Sequence, residues 1–178
     1  MACLSRVRVL CALAFSLALT PMAVAGPADG GAASMVTRIR AAYGLGPVRI
    51  DPALTRAAER QAQSMAAAGV LSHDVGGSFS ARMNAAGLGH VPTAENVGAG
   101  HRSMQAAIDS WQRSPGHQAN LLMRDVTRIG VARVNAPGKP YGTYWAMVLA
   151  ADEAPARTAF SGVTLGMMPF GVGFMIGR

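Results

Sequence analysis

Covalent cross-links are the first thing this sequence does without. Its two cysteines, Cys3 and Cys11, both fall in the opening stretch, so everything beyond them must fold with no disulfide and no thiolate ligand. Lysine is nearly absent as well: Lys139 is the only one, and every other basic residue is an arginine. Those arginines are scattered singly, with no basic run and no interleaved aromatics, which excludes a nucleic-acid surface as a partner. Long apolar runs are also missing. The run from Val9 to Leu19 has 11 residues, well short of the roughly 20 that a membrane-spanning helix needs. The C-terminal stretch from Val163 to Ile176 is apolar but broken by glycines and Pro169, so it is not expected to span a bilayer either.

What is present at the start has the layout of a secretory leader. Arg6 and Arg8 precede the apolar run, Thr20 and Pro21 break it, and Ala23-Val24-Ala25 offers small residues ahead of a cut before Gly26. Neither cysteine sits at a lipoprotein-type cleavage site, so no lipid anchor is expected. Residues 1–25 are therefore assigned to a signal peptide, 26–31 to a flexible lead-in, 32–151 to a folded domain, and 152–178 to a Gly/Met-rich tail. Without Arg6 and Arg8 the balance is 14 basic against 9 acidic residues, a mild positive charge that suits anionic envelope polymers or lipid headgroups. Stability has to come from a packed core, which about 120 residues can build. A monomer outside the cytoplasm, in the periplasm or secreted, is the expected form.

Local patterns then order the domain. Ser34 reads as the cap of a first helix running to Tyr43, with Met35, Val36, Ile39 and Tyr43 at helical spacing. A second helix is framed by Asp51 at the N-cap, Pro52 at the first position and Gly69 beyond the end. Leu54, Ala58, Ala62 and Met65 form its inward stripe, and the many alanines predict close packing. A shorter helix is predicted from Ser78 to Ala86. A fourth starts near Ser103, carries Met104, Ala107, Ile108 and Trp111 inward, and is stopped by Pro115. The pattern then turns extended: Ile129, Val131 and Val134, a turn at Asn135-Ala136-Pro137-Gly138, and a strand within Tyr141–Ala150 that is apolar nearly throughout and so is covered on both faces. Helices followed by a terminal hairpin predict a sheet held between helices.

Chemistry-bearing residues are few. Of four histidines, His73 follows the second helix and His117 follows the fourth; Glu95 lies between them in what reads as a glycine-bounded loop. The three stand 22 residues apart at each step, so only tertiary folding can join them. Two imidazoles and a carboxylate suit a divalent cation such as zinc. Equally, Glu95-Asn96 reads as a pair that hydrogen-bonds loop backbone, Ser114 as a turn cap, and His117 as a structural anchor. His90 and His101 read as bystanders in loops, and Trp111, Tyr144 and Trp145 as core or cleft wall.

In order along the chain, Ser72-His73, Glu95-Asn96, Trp111, and Ser114-Pro115-Gly116-His117 with Asn120 resemble the bacterial, cysteine-free CAP/SCP domains. Ile129-Gly130-Val131, Tyr144-Trp145, the opening Arg40-Ala41-Ala42-Tyr43-Gly44-Leu45 and Asp51-Pro52-Ala53-Leu54 are similar to the same family. The likeness covers about residues 32–151. It implies an α+β fold, an α-β-α sandwich with a small, mainly antiparallel sheet between helices, and a cleft lined by two histidines and two glutamates. His73, Glu95 and His117 match three of these. The second glutamate has no counterpart, since Gln112, Arg113 and Ser114 follow Trp111 and the nearest acid, Asp109, precedes it.

Three functions follow as expectations. One is an exported binding module whose cleft takes zinc or another divalent cation through His73, His117 and Glu95, with a lipid, sterol or envelope-glycan ligand. Another is a hydrolase, with Ser114, His117 and Glu95 as nucleophile, base and orienter, or with a metal-held water and Glu95 as base. The last is a structural or host-facing secreted protein with a vestigial cleft.

Overall fold

A computed structural model describes residues 29–153 of the chain; the leader, the first part of the lead-in and the Gly/Met-rich tail beyond Glu153 lie outside them. In chain order the elements are α1 (Asp29–Ala41), β1 (Arg49–Ile50), α2 (Pro52–Ala68), α3 (Phe79–Ala85), β2 (Thr93–Ala99), α4 (Met104–Arg113), α5 (Pro115–Leu121), β3 (Val126–Asn135) and β4 (Thr143–Ala151).

The sheet runs in the order β1-β3-β4-β2, with β1 parallel to β3 and the other pairs antiparallel. Its period-two alternation divides the core cleanly. Trp145, Met147 and Leu149 face a layer made with Val36 of α1, Ile108 and Trp111 of α4 and Leu121 of α5. Tyr144, Ala146, Val148 and Ala150 face Leu54, Ala58, Ala62 and Met65 of α2 and Met83 of α3. Strand β4 is thus covered on both sides, as its unbroken apolar run predicts, and the molecule is an α+β, α-β-α sandwich.

Helix α2 sits where its ends dictate. Asp51 Oδ1 accepts from the amides of Ala53 and Leu54 at 2.7 and 3.1 Å, a cap worth about 1 kcal/mol. Gly69 closes the other end in the left-handed region at φ 72°, where glycine carries no Cβ penalty. The helix lies directly on β3 at Gly130, where an added Cβ would stand 2.0 Å from the Thr55 nitrogen. Arg128 Nη1 donates to Asp51 Oδ2 at 3.0 Å and ties the same corner together.

Three local readings change. Helix α1 begins at Asp29 rather than at a cap on Ser34; Ala32 and Val36 are fully buried, and that tertiary burial carries the helix back into the lead-in. The Glu95 segment is strand β2, not a loop. Pro115 does stop α4, but it also occupies the first position of a new helix, α5, where its missing N–H costs nothing.

One buried arginine organises the lower corner. The Arg40 guanidinium donates to the carbonyls of Gly46, Leu121, Met123 and Val126, each at 2.8 Å. It fastens α1 to the end of α5 and the start of β3.

Candidate functional site

Strand β2 is one of the two edge strands of the sheet, and the site forms on its open side. Pro92 O accepts from the Ala151 amide and Thr143 O from the Gly100 amide. The even-numbered positions of β2 therefore carry the ladder, and Thr93, Glu95, Val97 and Ala99 turn their backbone groups outward. Two side chains cover that edge: Asn120 Nδ2 donates to Glu95 O at 3.2 Å, and Trp111 Nε1 to Val97 O at 2.9 Å. Blunting an edge this way also prevents another strand from pairing with it there.

Pairing register sends the Glu95 and Asn96 side chains of β2 to opposite layers. Glu95 lies opposite Val148 and Asn96 opposite Met147, so Glu95 turns toward α2 and α3 while Asn96 turns toward α4 and α5. Asn96 Nδ2 donates to the His117 carbonyl at 3.1 Å, and its Oδ1 accepts from Asn120 Nδ2 at 2.9 Å. Asn96 thereby pins the first turn of α5 to the strand. On the other layer, Gln61 of α2 donates to the Ser72 carbonyl at 2.7 Å and fixes the segment carrying His73.

Glu95 is the centre of the arrangement. Its side chain is 1% exposed, yet both carboxylate oxygens are satisfied. Arg82 Nη1 donates to Oε2 at 2.8 Å and Nη2 to Oε1 at 3.0 Å, while His73 Nδ1 lies 2.9 Å from Oε1. Arg82 also donates to the carbonyls of His73 and Gly77, and its guanidinium stands 5.5 Å over the Phe79 ring. A carboxylate held by an arginine fork is an acceptor, so His73 Nδ1 carries the proton. In the neutral ring the lone pair is then on Nε2.

The cleft beside this cluster has a volume of about 570 Å³ and is lined by both layers: His73 and Phe79 from one, Ser114, Gly116, His117 and Asn120 from the other, with Thr93, Ala94 and Glu95 between. That volume falls in the range of small-molecule sites. Burial, and then the charge of His73, lower the pKa of His117, which favours the neutral form of the ring. The folded chain thus gathers His73, Glu95, Ser114 and His117 at one hollow. Glu95 bonds the ring of His73, however, and not that of His117.

Arg82 is the residue that sequence reasoning missed; nothing local distinguishes it from a solvent-facing arginine on a short helix. Ser114 stands at the N-cap of α5 without making a side-chain capping bond, so it is not the turn cap its position beside Pro115 suggests. Asp109 takes a 2.7 Å bond from Gln105 on its own helix and does not line the cleft, so among the described residues no second carboxylate completes the pattern. His90, 3.6 Å from Glu153, and His101 are also absent from the lining. Among the described residues, no group of three or more His, Cys, Asp or Glu side chains is disposed to hold a metal ion.

The profile of the CAP, or cysteine-rich secretory protein, family matches residues 33–149. The chain belongs to the CAP family. It is similar to the Bacillus subtilis protein YkwD, with 29% identity over 108 residues, which is 60% of this chain and 40% of that protein's length. Among solved structures it resembles an outer surface protein of Borrelia burgdorferi, at a TM-score of 0.62 and 17% identity, covering 74% of this chain and 100% of the other. It also resembles an extracellular protein of Bacillus anthracis containing a SCP domain, at a TM-score of 0.58 and 23% identity, covering 70% of this chain and 41% of that one. These structural likenesses establish the CAP fold of the sandwich. Among the described residues no helix is long and apolar enough to cross a membrane.

Proposed function

We propose that this CAP protein works outside the cytoplasm as a binding module, with a divalent cation held between His73 and His117 beside a lipid or envelope-glycan ligand. The observation that carries the reading is the chain Arg82–Glu95–His73. A carboxylate bonded to the far nitrogen of an imidazole is the usual support for a metal-binding histidine, because it fixes the tautomer and raises ligand basicity. His117, whose neutral form burial favours, brings a second imidazole to the same cleft. Glu95 belongs behind His73 rather than on the cation, since both its oxygens are already engaged.

With two protein donors, His73 Nε2 and His117, the remaining coordination positions stay open to water or ligand. Bound zinc would supply Lewis acidity there. The chain's own residues do the rest: Glu95 orients His73, Asn96 fixes His117, and Phe79, Thr93, Ala94 and Ser114 wall the ligand space. This division of labour weakens the hydrolase reading, because Glu95 is neither the partner of His117 nor free to act as a base. Export is supported by the leader-like N-terminus and by the surface or extracellular description of the structural relatives.

The test is a calorimetric zinc titration of the purified protein beside a His73→Ala/His117→Ala double variant. Saturable uptake that disappears in the double variant is expected. Equal uptake by both removes the cation site, and no uptake by either leaves the vestigial-cleft reading in its place.

A further inference from the structure

A second hollow opens between α2 and α3. It has a volume of about 440 Å³ and is lined by Ala53, Arg56, Arg60, Arg82, Ala85 and Ala86. Three of its six lining residues are arginines, the others are alanines, and no carboxylate is among them. Arg56 and Arg60 stand four residues apart on α2, one turn above the other on the same face. Both are exposed, and among the described residues neither has a hydrogen-bond or ion-pair partner. Arg82 closes the third side. Its side chain is 12% exposed and fixed by Glu95, His73 and Gly77, which take Nε–H, one Nη1–H and both Nη2–H groups. One of the five guanidinium N–H groups is left on Nη1.

Two unpaired guanidiniums and one immobilised guanidinium around a hollow walled by methyl groups make a poor resting surface for a folded protein. Arg82 is already paired with Glu95, so the unmatched charge at the hollow is that of Arg56 and Arg60. They make a good receptor for a compact, multiply charged oxyanion. Guanidinium forks match phosphate oxygens in geometry, and charge-assisted bonds of this kind are about twice as strong as neutral ones. A phosphate, with up to two charges and several acceptor oxygens, answers the two unpaired arginines and the spare N–H of Arg82 better than a single carboxylate does. The three alanines leave the room in which the group would sit.

We propose that the hollow between α2 and α3, formed by Arg56, Arg60 and Arg82, binds a phosphate group. The group belongs either to a soluble phosphate ester or to a phospholipid headgroup. The two sites meet at Arg82, which also holds Glu95 and the His73 carbonyl, but Arg56 and Arg60 line this hollow and not the cleft.

An NMR titration of the purified protein with inorganic phosphate at fixed ionic strength tests it, beside an Arg56→Gln/Arg60→Gln variant that leaves Arg82 and the cleft untouched. Saturable shifts of the amides around residues 53–60 and 82–86 are expected, with affinity roughly tenfold or more weaker in the variant. Sedimentation with phosphatidylglycerol vesicles, against phosphatidylcholine vesicles, separates the two sources. Arginine-dependent pelleting assigns the site to a headgroup, and phosphate shifts without pelleting assign it to a soluble ester. Wild type and variant responding alike to both probes, or no response to either, overturns the proposal.

Discussion

Arg82 grips both oxygens of the Glu95 carboxylate, at 2.8 and 3.0 Å, from a short helix thirteen residues upstream in the chain. Glu95 is an acid in the interior whose charge is matched on one side by a guanidinium fork and on the other by the ring it orients. Arg82→Ala leaves that carboxylate buried with His73 as its remaining partner. Breaking a buried pair from one side costs about 3–5 kcal/mol, so the variant is expected to lose stability of that order in urea denaturation. A loss under about 1 kcal/mol, typical of exposed ion pairs, contradicts the pairing.

Asn96 holds α5 to β2 through two hydrogen bonds. Asn96→Ala leaves the His117 carbonyl and the Asn120 amide without those partners, at a cost of about 1–3 kcal/mol. Hydrogen exchange should show the loss concentrated in the amides of residues 115–121. Unchanged protection there means that packing and the Asn120 bond to the Glu95 carbonyl hold the helix without Asn96.

Gly130→Ala drives a methyl group into the backbone of α2, because the Cβ position lies 2.0 Å from the Thr55 nitrogen and 2.1 Å from the Leu54 carbonyl carbon. Backbone cannot turn aside as a side chain would, so destabilisation at or above the upper end of the usual overpacking range, about 3 kcal/mol, is expected in thermal melts. An unchanged melting temperature would show that α2 lifts from β3 without cost.

Acid sensitivity follows from His101. Burial, and then the charge of Arg113, lower its pKa in the folded protein. The unfolded chain therefore takes up a proton there before the folded one does. The stability linked to this group is fully present above the ordinary histidine value of about 6.5 and is lost as pH falls toward the lower folded value. His101→Gln removes that contribution, and melting temperatures between pH 7.5 and pH 5 should fall less steeply than in the wild type. A steeper fall reverses the sign of the assignment.

Much of the frame was legible because it is written locally. Asp51, Pro52 and Gly69 bound α2, Ser78 and Ser103 each cap the helix they precede, and the run into Ala150 reads as a strand covered on both sides. Strand β2 was not legible. Its centre is Glu95-Asn96, with Gly98 and Gly100 following, and its polar groups become tolerable inside only through Arg82, His73, Asn120 and Trp111, all distant in sequence. For the same reason Arg82 carried no signal of its own. Helix α5 was hidden by Pro115, which ends one helix and begins the next.

The site itself was half visible. The motifs around His73, Glu95 and His117 pointed to one hollow, and the fold brings all three there. The sequence does not say which group Glu95 serves, because that depends on the pleat of β2, which turns Glu95 toward α2 and α3 and Asn96 toward α5.

In the proposed site His73 and His117 share a cation while Glu95 stands behind His73. A crystal grown with cadmium tests it most directly through the anomalous signal. A peak is expected within bonding distance of His73 Nε2 and of one ring nitrogen of His117, with Glu95 still on His73 Nδ1. A peak bound to Glu95 with His73 turned away, or two rings directed to separate parts of the surface, would contradict it.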